Sequence, residues 1–182
     1  MTKHPTRLAA GLISAAILTL SGCGGGSGST PPATESVSLS GVAATGGAFV
    51  GAVITVIDST GRVVGTSAPV GDDGTYTVTL AANASAPFVL VASRTDANGE
   101  TQSLVSVLES ADQTVANVTP ITNLIASRLS ASGDPTKLAT ELAAGTTEIT
   151  PTAVADTVAE VKTILAPLLE ATGTSDADPL KD

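Results

Sequence analysis

Residues 51–80, GAVITVIDSTGRVVGTSAPVGDDGTYTVTL, decide the fold. Within them Thr75–Leu80 alternates strictly. Tyr76, Val78 and Leu80 fall on one face and three threonines on the other, the period of a half-buried strand. Upstream, Gly51–Ile57 is a compact β-branched run, and residues 62–66 carry Val63 and Val64. The turn signals Ser59-Thr60-Gly61 and Asp73-Gly74 separate these runs. Working outward, Val37, Leu39 and Gly41 alternate before the stretch. Phe88–Ala92, Leu104–Leu108 and Val115–Val118 follow it, with an Asn98-Gly99 turn between the first two. Seven short runs at this spacing predict a seven-stranded antiparallel β-sandwich over residues 37–118.

The pattern changes at Thr119-Pro120, which predicts a helix capped by Thr119 with Pro120 in its first turn. Ile121, Leu124, Ile125 and Leu129 follow at helical spacing, and Gly133 ends the element. Asp134-Pro135 repeats the start signal before Leu138 and Leu142, and Thr150-Pro151 opens a third helix. The third carries Val154, Val158, Val161, Leu165 and Leu168 as one apolar stripe, read as a core-facing surface. The fold class is therefore mainly β plus α: a sandwich followed, over 119–182, by about three helices.

The N-terminus reads as an address. Lys3 and Arg7 precede an apolar run from Leu8 to Leu20. A helix of that length reaches about 20 Å, short of the roughly 30 Å hydrocarbon core, and suits a signal peptide over residues 1–22. Leu20-Ser21-Gly22-Cys23 resembles the lipobox of bacterial lipoproteins at every position. The resemblance implies cleavage between Gly22 and Cys23 and lipid attachment through the Cys23 thiolate. Its multiple acyl chains would give firm attachment to the membrane. Gly24, where an aspartate would signal retention in the inner membrane, implies the outer membrane of the cell envelope. The Gly/Ser/Pro-rich residues 23–36 that follow read as a tether spanning about 20 Å.

Composition narrows the chemistry. Lys3, Arg7 and the single histidine, His4, lie in the signal region, so the remainder holds 6 basic and 17 acidic residues, a net charge of −11. Such a chain repels nucleic acid, and no basic cluster offsets this. Beyond Cys23 there is neither histidine nor cysteine. Ser-His-Asp and Cys-His catalysis and zinc sites built on histidine or thiolate are thereby excluded. Lys137, Lys162 and Lys181 carry no nucleophile motif, and Phe49, Tyr76 and Phe88, the only aromatics, offer no sugar-stacking platform. The expected activity is non-enzymatic, with no catalytic residue and no cofactor. For metals, Asp58, Asp72 and Asp73 are the residues that would have to hold calcium, which needs six to eight oxygen ligands. The simpler reading has Asp73-Gly74 supplying turn geometry and Asp72 solvated.

Residues 37–80 also resemble the carboxypeptidase regulatory-like domain, a transthyretin-like sandwich. The matching residues are Ser40-Gly41-Val42, then Gly51-Ala52-Val53-Ile54 with Val56 and Asp58, then Asp73-Gly74-Thr75-Tyr76. Phe49 and Val70-Gly71 depart from that pattern without disturbing the strands. The continuation Ala116–Leu124 is similar to proteobacterial lipoproteins of unknown function in which a sandwich precedes a helical segment. Longer members continue past a stretch like Ala177-Asp178-Pro179-Leu180, so the resemblance leaves open whether the helical segment is complete at Asp182. Together these features imply an accessory module anchored in the envelope that contacts another envelope protein. The alternative is a binding module for cell-wall glycan or another polysaccharide.

Overall fold

The computed structural model describes residues 36–182. The signal region, Gly22, Cys23 and all of the tether but its last residue lie outside the described residues. Six strands precede three helices: β1 (Ser38–Val42), β2 (Val53–Ile57), β3 (Val63–Thr66), β4 (Thr75–Thr79), β5 (Phe88–Thr95), β6 (Thr101–Leu108), α1 (Pro120–Leu129), α2 (Leu138–Ala143) and α3 (Pro151–Thr172). A short 3₁₀ turn, Pro135–Lys137, leads into α2.

The strands form two sheets. One pairs β1 with β4; the other runs β3-β2-β5-β6, all antiparallel. Their facing surfaces bury Leu39, Phe49, Ile54, Val56, Tyr76, Val78, Phe88 and Leu90. The alternation in β4 is realised, with Tyr76 and Val78 buried and the threonines exposed. β5 is a continuous apolar run because both its faces are covered. Phe88, Leu90 and Ala92 face the sandwich, while Val89 and Val91 face the helices. A second core lies on that outer side, where Val89, Val105 and Val107 pack against Ile125, Leu129, Leu138, Val154 and Val161. The four-stranded sheet is thus the middle of three layers.

The strand count is six, not seven. Residues 115–118 do run beside β1, but parallel to it, touching it only through bridges at Ser40–Val115 and Ala43–Val118. Ala116 N–H donates to Ser40 O and Val118 N–H to Val42 O. Between them the ladder fails at one position. The Ala116 carbonyl accepts the buried Tyr76 hydroxyl instead of a strand neighbour. Val42 N–H then donates to Asn117 Oδ1 (2.9 Å), and Asn117 N–H to Leu180 O (2.8 Å). Gly41 makes this possible: a Cβ there would overlap the Ala116 carbonyl and press on the Tyr76 ring.

The helix starts follow the sequence. Thr119 and Thr122 form a reciprocal capping box around Pro120, and the Thr150 hydroxyl accepts Ala153 N–H. Asp134 accepts Thr136 N–H to open the 3₁₀ turn. α1 also closes an edge. At Val105 of edge strand β6, the N–H donates to Asn123 Oδ1 (2.9 Å) and the carbonyl accepts the Thr122 hydroxyl (3.1 Å). Two helix side chains thus occupy backbone groups that would otherwise offer a template for another strand.

Candidate functional site

The surface that stands out is built by the second half of α3. It is 22 residues long and packs against α1, with Val154 and Val161 reaching the helix-side core. Val154 and Val161 are buried and Val158 is half-buried, as the apolar stripe requires. Leu168, expected in the core with them, is 57% exposed, and Ile164 is 58% exposed. The stripe continues at the predicted spacing; the supporting layer does not. On α1, Leu124 is also partly exposed.

Beyond α3, Gly173 takes a left-handed conformation (φ 69°) and reverses the chain. Residues 174–182 then return along the helix. Ala177 O accepts Lys162 Nζ (3.0 Å), Leu180 is buried in the helix-side core, and Asn117 Nδ2 donates to Asp182 O (2.9 Å). Between this returning segment, α3 and the start of α1 lies a groove of about 440 Å³. Its walls are mostly apolar: Pro120 and Ile121 on one side, Val161, Leu165 and Leu169 on another, Pro179 on the third. Lys162 and Asp182 bring charge to its lining.

The aspartates singled out in the sequence are not gathered. The Asp58 carboxylate is fully buried at the end of β2, where Oδ1 accepts Thr60 N–H (2.9 Å), the Thr60 hydroxyl (2.6 Å) and Arg62 N–H (3.1 Å). Its Oδ2 accepts Arg62 Nη2 at 2.8 Å. Burial opposes the charge, but the bonds from Thr60 and Arg62 outweigh it and hold the pKa down at about 2. Asp73 caps its own turn, accepting Thr75 N–H (3.0 Å) and the Thr75 hydroxyl (2.8 Å), which lowers its pKa. Gly74 has φ 75°, and Asp72 is exposed. Both acids bonded in this way serve turns. Among the described residues no cluster of three or more His, Cys, Asp or Glu side chains is placed to hold a metal ion. None of the described helices is long and apolar enough to cross a membrane.

Sequence reading missed the groove and the residues that shape it. Asn117 was visible as a polar residue inside an apolar run, a signal for a buried amide with specific partners. Nothing local revealed that those partners are Val42 and Asp182.

Residues 30–118 match the family described as "Bacterial Ig domain". That segment is therefore similar to an Ig-like β-sandwich, in agreement with the two facing sheets. Modules of this kind are typically non-catalytic and serve binding or structure. No curated protein and no solved structure matches the chain.

Proposed function

We propose that this chain is a non-enzymatic lipoprotein of the cell envelope, anchored through Cys23 in the outer membrane, that presents its sandwich and helices for contact with another envelope protein. The observation that carries the contact role is the unsupported apolar face of α3, with Ile164 and Leu168 more than half exposed. Large aliphatic side chains held out on one face of a helix are the usual material of a helix-in-groove interface. The similarity to a binding or structural module supports the same reading. The lipobox supports the anchor, and the resemblance of residues 37–80 to the carboxypeptidase regulatory-like domain supports an accessory role.

Two experiments test it. A photo-crosslinking amino acid placed at Ile164 or Leu168 in living cells should trap one discrete envelope protein, and the same group at the exposed Thr77 of β4 should not. Identical products from all three positions, or none from any, would refute the contact role. A Cys23→Ala chain should fail to incorporate labelled palmitate and should not be cleaved before residue 23; normal labelling would refute the anchor.

A further inference from the structure

Beyond contact with a protein partner, we infer that the groove between α1, α3 and residues 174–182 binds a fatty acid, its aliphatic chain against α3 and its carboxylate on Lys162. Three observations converge. The first is capacity: about 440 Å³ falls within the roughly 300–1,000 Å³ usual for small-molecule sites. The second is shape and polarity. Val161, Leu165 and Leu169 line the groove at successive intervals of four residues, so the apolar wall runs about 12 Å along the helix axis. Ile121, Pro120 and Pro179 face it, making an apolar slot.

The third observation is the charge. Lys162 sits in the lining and uses one of its three donors on Ala177 O. Among the described residues, Lys137 and Lys181 each pair with an aspartate, whereas Lys162 pairs with no acid. The lining also holds one acidic side chain, Asp182, whose Oδ2 accepts Asp178 N–H (2.8 Å); it repels a carboxylate head and leaves Lys162 as the one place for it. In a chain this acidic, an anion that enters the groove has one cation to meet, which fixes where the head must lie. Ile164 and Leu168, the residues proposed for protein contact, are not part of this lining. Each idea can therefore fail without the other.

The test uses the purified full-length chain and cis-parinaric acid, a fatty acid that fluoresces when held in an apolar site. Binding should saturate at one probe per chain and be displaced by palmitate. Lys162→Ala should weaken it about fivefold, the effect of one partly exposed charge-assisted bond. That loss should be absent for hexadecanol, which carries the same chain without the charge. Leu169→Asp, at a half-buried position near the helix end, should abolish binding while far-UV circular dichroism stays unchanged. Absence of saturable binding by the parent chain would overturn the proposal. So would a folded Leu169→Asp chain that binds as the parent does, because the probe would then be adsorbed elsewhere. Equal affinity of palmitate and hexadecanol, both indifferent to Lys162→Ala, would overturn the assignment of the carboxylate.

Discussion

Two buried hydroxyls in the sandwich make opposite predictions. The Tyr76 hydroxyl donates to the Ala116 carbonyl, and that bond stands where a strand bond would otherwise be. Tyr76→Phe keeps the ring and its packing and deletes one donor. The carbonyl it leaves behind is enclosed against Gly41, in space too tight for a Cβ. Leaving such an acceptor unsatisfied costs about 1–3 kcal/mol. For a unit of this size about 2 kcal/mol lowers the melting temperature by roughly 4–8 °C. Ser106 is the contrasting case. It is fully buried on β6 opposite Leu90, on the face turned to the sandwich core, and its hydroxyl has no partner. Ser106→Ala removes a polar group that gains nothing from folding, so stability should stay the same or rise by up to about 1 kcal/mol. Urea unfolding followed by circular dichroism measures both, with an unchanged slope showing that the unfolded states are comparable. A Tyr76→Phe chain as stable as the parent, or a Ser106→Ala chain destabilised as much as Tyr76→Phe, would refute this account of the junction.

Other positions give further expectations. Because the Asp58 pKa is lowered to about 2 in the folded chain from its ordinary 3.8, its ionised form contributes stability that is full above about pH 4 and is lost as pH falls through 2. Asp58→Asn should therefore lower the melting temperature clearly at pH 6, with the gap to the parent narrowing towards pH 2. Asn123→Leu removes the acceptor for Val105 N–H and reopens the edge of β6, so light scattering on mild heating should rise earlier than for the parent. Asn117→Ala breaks the bonds to Val42 N–H and Asp182 O together, and hydrogen exchange should accelerate most in residues 174–182.

What the sequence revealed was local. The alternation of Tyr76, Val78 and Leu80 specified which face is buried because the strand period is two, whatever the strand pairs with. Thr119-Pro120 and Thr150-Pro151 specified helix starts because caps are satisfied within one turn. Asp73-Gly74 specified a turn for the same reason, with Asp73 accepting from Thr75 two residues on. Val115–Val118 misled because its apolar pattern suits a strand, yet its pairing is settled by the Tyr76 hydroxyl from 40 residues away and by Asn117 reaching 65 residues on to Asp182. Leu168 misled in another way: periodicity identifies a face of α3 but not how far the neighbouring layer extends beneath it.

These non-local bonds fall together at the junction between sandwich and helices. Tyr76 holds Ala116, Asn117 joins β1 to the returning tail, and Thr122 and Asn123 fix α1 against Val105. The groove is a consequence of this arrangement. α1 is pinned to the sheet edge and the tail is pinned to Asn117, and the second half of α3 runs beside both without closing against them. The groove's apolar walls therefore remain a standing exposure unless a ligand or partner covers them. A change at the junction, such as Asn117→Ala, should consequently alter the groove and the contact face of α3 even though it touches neither Leu165 nor Ile164.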